Sequence, residues 1–271
     1  MKNRFNIKLG IVLVGALLLL ALFAPWVSPH DPNVFFLDEQ LKGPHSGFWF
    51  GNDLFGRCVL SRVLYGARIS LGIGVTVVAI NLVVGTFLGL MAGWRGGILD
   101  GLFLFVSDIF MAFPGFLLAI AIAAFLGPKV SNVILILCVM GWVGFARLAR
   151  GQVISLKGRE FILASKSLGA SEVRLIGKHL LPQLAGPMIV QATFGIAGVI
   201  LVESTLSFLG LGVPVETPSW GNMLDQGTSY LLIAPHLSIF PGLFIMLVVL
   251  GFNFLGDGLR DKLDPRSSII K

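Results

Sequence analysis

Residues 160–182 read EFILASKSLGASEVRLIGKHLLP, the longest charged interruption in a chain that is 55% hydrophobic and only 13% charged. Soluble domains carry about 25% charged residues, so the surroundings of this stretch are those of a membrane protein. Within it the pattern is helix, break, helix. Glu160 opens the first helix and Lys166 lies near its end at about Leu168, the polarity that a helix dipole favours. Gly169 stands where a left-handed C-terminal cap is wanted, followed by Ala170 in the turn. Ser171 is placed to cap a second helix, with Glu172 in its first turn and Lys178 and His179 in its last. Pro182 is expected to end that helix, because its ring removes a backbone donor. Two uses are open for such a hairpin. It is a docking element for a cytosolic partner, or an amphipathic pair lying on lipid.

Uncharged runs on either side mark the spans, since about 20 apolar residues in a helix cross a bilayer. Leu9 to Pro29 is the first; a secretory signal core competes with a retained span there, and its length and Pro25 after Ala24 argue for the span. Ile69 to Trp94 is the second, with Gly72, Gly74, Gly85, Gly89 and Gly93 recurring where membrane helices approach closely. The third is expected at about Gly101 to Leu126, the fourth at Val130 to Ala146, the fifth at Leu184 to Val202 and the sixth at Leu231 to Leu255. Residues 30–68 and 213–230 are expected to be external loops. The fold class is therefore all-α, with six transmembrane helices and both termini cytoplasmic. In that orientation fifteen of the twenty Lys and Arg fall on inner segments and five on outer ones, as the positive-inside rule requires.

Ionisable residues inside spans are functional candidates, since exposing them to lipid is costly. Asp108 lines a pathway or gate, or stays wet or pairs with a loop Arg. Glu203, placed near the outer surface by the helical rise from Leu184, lines a pathway mouth or is a solvated boundary residue. Cys58 and Cys138 sit in no metal or redox spacing and read as packing residues. The net charge of +6 reflects topology, and nucleic acid is not an expected partner. The chain has no GxxxxGK phosphate loop, HExxH or GxSxG, so it is not expected to hydrolyse ATP or to be an intramembrane enzyme. A secondary carrier is a rival, although no inverted repeat is evident.

Four motifs carry a resemblance to one family. Residues 163–182 resemble the EAA loop of ABC importer permeases, with Ala164 at its first Ala, Gly169 at its Gly and Leu181-Pro182 at its closing Leu-Pro. Leu163 replaces the motif's Glu, Ser165 its second Ala and His179 its Ile, while Glu160 precedes out of register. Residues 51–68 resemble the GTDxxGRDxLSRxxYGAR signature of the dipeptide, oligopeptide and nickel permeases, with Asn52 and Cys58 departing from it. The SFLGLG stretch with the following loop, and the tail from Gly256 to Arg266, are similar to the same subfamily.

The resemblance implies a type I ABC importer permease. It implies a first unit of residues 1–68, a permease core of residues 69–257 with a cytoplasmic coupling loop at 147–183, and a cytoplasmic tail at 258–271. It implies a bacterial inner-membrane location, a sister permease, two cytosolic P-loop ATPases that use ATP and Mg, and an external substrate-binding protein. This chain itself would bind no cofactor. Glu160, Ala164, Ser165, Lys166, Gly169, Ala170, His179, Leu181 and Pro182 would form the ATPase-coupling surface. Peptide is the first expectation for substrate and nickel the alternative.

Overall fold

A computed structural model describes residues 2–263. The helices in order are α1 (Lys2–Val27), α2 (Val59–Arg95), α3 (Gly97–Ala112), α4 (Gly115–Leu126), α5 (Val130–Lys157), α6 (Glu160–Ser167), α7 (Glu172–Leu175), α8 (Leu181–Phe208), α9 (Trp220–Thr228) and α10 (His236–Leu263). No strand occurs among the described residues. Five of these runs are long and apolar enough to cross a membrane, and the bent pair α3–α4 makes a sixth if it counts as one span.

α2 is the hub. Its 37 residues pack along α5, with α1, α8 and α10 around the rest of its circumference. The α2–α5 crossing is close because Gly89 has no side chain: a Cβ there would stand 2.0 Å from the Ala146 carbonyl oxygen. Among the apolar cores of the described residues, three are the largest. One joins α2, α5 and the α6–α8 region through Trp94, Val153, Ile162, Leu175 and Leu184. A second joins α1, α2, α8 and α10 around Ile200 and Trp220. A third joins α2, α4, α5 and α8 around Ile136 and Leu206.

Several boundaries differ from the sequence reading. The third span is not one helix: Phe113 and Pro114 break it and the two halves meet at 80°. Proline pushes its predecessor towards extended backbone, and Phe113 has ψ 139°. The fourth helix continues past Ala146 to Lys157, because Arg147, Arg150 and Lys157 all find partners on neighbouring helices. Residues 59–68 are the first turns of α2 rather than loop, so the unit expected to close at residue 68 runs into the core helix. The loop expected at 213–230 contains α9, whose N-terminus is capped by the Ser219 hydroxyl. The sixth helix starts at His236, after Pro235, and runs through residue 258 to Leu263 without a break at the expected tail boundary. The end of the tail motif, from Asp264 to Arg266, lies outside the described residues.

The outer layer is a folded clip. Asp53 Oδ1 accepts the backbone N–H groups of Phe55 and Arg57, both at 2.9 Å. Its Oδ2 accepts from Arg57 Nε at 2.6 Å and lies 3.7 Å from Arg62 Nε. Arg57 also donates to Gln226 on α9 at 3.1 Å. His236, at the start of α10, is buried, with Nε2 3.1 Å from the Asn52 carbonyl oxygen. Trp220 Nε1 donates to the Val63 carbonyl at 3.0 Å. Cys58 is buried and free, as a packing residue would be.

Candidate functional site

The hairpin of residues 160–182 joins α5 to α8, with Ile162, Leu175 and Leu180 buried and most of its other residues exposed. α6 ends in two reversed bonds: the Gly169 N–H donates to the Lys166 carbonyl and the Ala170 N–H to the Ser165 carbonyl, at 3.0 and 3.1 Å. This Schellman arrangement needs a left-handed residue, and Gly169 has φ +83°. The Ser171 hydroxyl accepts the Arg174 N–H at 3.4 Å and caps α7, as its position predicts. Pro182 does not end the second helix. α7 passes through a wide π-helical turn (Ile176–Leu180, containing His179) into α8, and Pro182 stands directly after that turn, where the Leu181 N–H already reaches back five residues to the Ile176 carbonyl and the bonding register has shifted. Glu172 to Phe208 is thus one continuous helical rod.

Ile162 anchors α6 in the core beside Leu175 and Leu180. The outer face carries Leu168, 88% exposed, and Val173, 81% exposed, on either side of the Gly169 turn. Glu160, Ala164, Lys166, Leu181 and Pro182 are also exposed, while Ser165, Ala170 and His179 are half-buried. Phe161 and His179 hold the two arms together, with ring centroids 6.2 Å apart.

A cavity of about 590 Å³ opens between α2, α5, α8 and the α3–α4 break. α8 contributes Gln191, Gly195, Gly198, Val199 and Val202, a stripe at helical spacing on the rod that begins in the hairpin. Phe113, Gly115 and Phe116 come from the break. The polar groups on its wall are Asn81, Gln191 and Arg147. Of these, Asn81 donates to the Leu137 carbonyl at 3.3 Å.

The two acids nominated from the sequence do not line this cavity. Asp108 is exposed and forms an ion pair with Arg147 across α3 and α5, the pairing left open for it. Glu203 is neither a pathway mouth nor a solvated boundary: it is fully buried among three serine hydroxyls, Ser70, Ser204 and Ser207. Rise along a helix predicts depth but not which way a side chain faces, and Glu203 faces α2. Gln191 and Asn81 escaped the sequence reading because neither is ionisable; uncharged amides inside apolar spans were the available signal.

Residues 85–269 match the family model for the binding-protein-dependent transport system inner membrane component, and residues 7–44 match the N-terminal TM domain of oligopeptide transport permease C. The dipeptide transport system permease protein DppC of Alkalihalophilus pseudofirmus is 44% identical over 98% of this chain and 87% of its own length. The glutathione transport system permease proteins GsiD of Shigella dysenteriae serotype 1 and Escherichia coli O6:K15:H31 are 46% and 45% identical, each over 92% of this chain and 83% of their own. The MetNI methionine ABC transporter in an inward-facing conformation has a similar fold, with a TM-score of 0.59 and 19% identity over 76% of this chain and 97% of that one. The spans, the hairpin and these matches agree: the chain belongs to the binding-protein-dependent transport system inner membrane component family and is a multi-pass inner-membrane permease of the ABC importer type.

Proposed function

We propose that this permease imports di- or oligopeptides and forms half of the translocation pathway, facing a sister permease. The observation that carries the substrate class is the 44–46% identity, over nearly the whole chain, to permeases named for dipeptide and glutathione transport. Both are peptide substrates, which favours peptide over nickel.

Two cytosolic P-loop ATPases supply the work, using ATP and Mg, and an external binding protein delivers the substrate. The ATPase contact is the outer face of the hairpin, where Leu168 and Val173 offer apolar surface that solvent does not favour. A displacement there enters the rod that runs from Glu172 to Phe208 and moves the Gln191, Gly195 and Gly198 stripe on the cavity wall. Closing of the ATPases on ATP thereby biases the pathway between two states.

The test is reconstitution. The tagged chain is purified from its own membranes with the proteins that accompany it, placed in proteoliposomes, and supplied with binding protein and labelled dialanine. Uptake that requires hydrolysable ATP is expected. Uptake by the chain alone without ATP would make it a secondary carrier instead.

A further inference from the structure

The cavity wall is chemically lopsided. Most of it is apolar or made of glycine: Gly141, Gly144, Gly195 and Gly198 leave room for side chains of different sizes. Its one cation, Arg147, stands at the end nearest α6, and no acid lines the wall among the described residues. One nitrogen of the Arg147 guanidinium bonds Asp108, and its buried Nε has no partner. Gln191 reaches across from α8, with Nε2 3.7 Å from where a Cβ on Gly144 would stand. Gly144 and Arg147 are three residues apart and adjacent on the surface of α5, so Gln191 and Arg147 line neighbouring parts of the cavity wall. A guanidinium flanked by an amide donor suits a carboxylate.

Farther along the cavity, on α2, is Asn81, only 2% exposed, whose Oδ1 has no hydrogen-bond partner. It lies against Gly141, where an added Cβ would stand 2.1 Å from Asn81 Nδ2. Gly141 and Arg147 are six residues apart, roughly 9 Å of helical rise. An extended chain of three residues spans roughly 10 Å.

We propose that this cavity is a transit site for a short peptide, with Arg147 and Gln191 holding its C-terminal carboxylate at one end and the apolar, glycine-lined wall taking the rest of the chain. The inference rests on the peptide-importer reading and adds a recognition site within the permease itself.

The test uses the assembled importer in proteoliposomes, with Cys58→Ala and Cys138→Ala and a reporter Gly198→Cys. A Cβ at Gly198 meets nothing within 4 Å, so the reporter fits. Maleimide labelling of the reporter is measured with trialanine and with trialanine amide, without binding protein. Trialanine should protect and its amide should protect roughly tenfold less well, the scale of one charge-assisted contact. Arg147→Gln should abolish that difference and Arg147→Lys should retain part of it. Asp108→Asn, which breaks the same ion pair but keeps the guanidinium, should preserve the preference for the free acid. Equal protection by acid and amide, or equal loss in Arg147→Gln and Asp108→Asn, would overturn the site. So would the absence of protection in an importer that still transports trialanine. An unaltered importer that transports no peptide would overturn the underlying reading, and this inference with it.

Discussion

The Ser70 hydroxyl on α2 donates a hydrogen bond at 3.0 Å to the Glu203 carboxyl on α8, deep between the two helices. On its other oxygen the same carboxyl accepts from Ser207, which in turn accepts the Val213 N–H at 3.1 Å. Asn222 then holds the carbonyls of Val213 and Pro214 at 3.0 and 2.9 Å. A single acid thus ties the span pair to α9. Glu203→Gln keeps an acceptor and should cost little, since hydroxyls rotate to suit. Glu203→Leu strands buried hydroxyls and should cost about 2–3 kcal/mol. Thermal unfolding of the purified permease checks the order; equal midpoints for Leu and wild type would reject it.

Asp53 serves two arginines and two backbone donors in the outer clip. Its side chain is 7% exposed and that of Arg57 is 6% exposed, so removing either strands a charge. Asp53→Ala should lose about 3–5 kcal/mol and most membrane abundance. Immunoblotting of membranes at matched expression measures it; wild-type abundance would show that the clip is dispensable for folding.

Gly89→Val should separate α2 from α5, because the Ala146 carbonyl leaves no room even for a Cβ. Overpacking of this kind costs about 1–3 kcal/mol or more. Gly72→Ala, on the same helix with open space around it, should be neutral. Proteolytic sensitivity of the two variants distinguishes a local close approach from a general intolerance of α2.

Gly169→Val should uncouple ATP hydrolysis from uptake while leaving abundance near normal. The space around Gly169 is open, so its φ of +83° alone opposes the substitution, at a cost of about 1–3 kcal/mol borne by the hairpin turn. Gly169→Asn, which tolerates that region better, should retain more uptake. Uptake per ATP hydrolysed is the measurement, and an unchanged ratio for Val would exclude the turn as a coupling hinge.

Leu168→Glu and Val173→Glu alter side chains that are 88% and 81% exposed, so the permease itself should stay within about 0.5 kcal/mol of wild type. ATPase co-purification should fall several-fold. Full recovery of the ATPase with both substitutions present would remove the apolar face from the docking surface.

Much of this was legible along the chain. The uncharged runs marked the long helices because hydrocarbon demands apolar side chains and internally bonded backbone. Gly169 and Ser171 announced the turn and cap of the hairpin, since both act within four residues of themselves. Pro114 was visible, but the 80° bend was not, because the neighbouring helices decide whether a proline is absorbed or breaks the span. Pro182 shows the opposite outcome: a proline that reads as a terminator is absorbed in a continuous helix just after a π-turn.

The sequence by itself determined the class, the spans, the hairpin and the family resemblance, all of which depend on local composition or on motifs contiguous in the chain. Only the tertiary structure decided which polar side chains meet. Glu203 joined Ser70 across 133 positions, and Asn81, Gln191 and Arg147 came to line one cavity from three helices. The reason is geometric: a helix has a front and a back within one turn, and which of them faces a neighbour is set by packing between elements far apart in sequence.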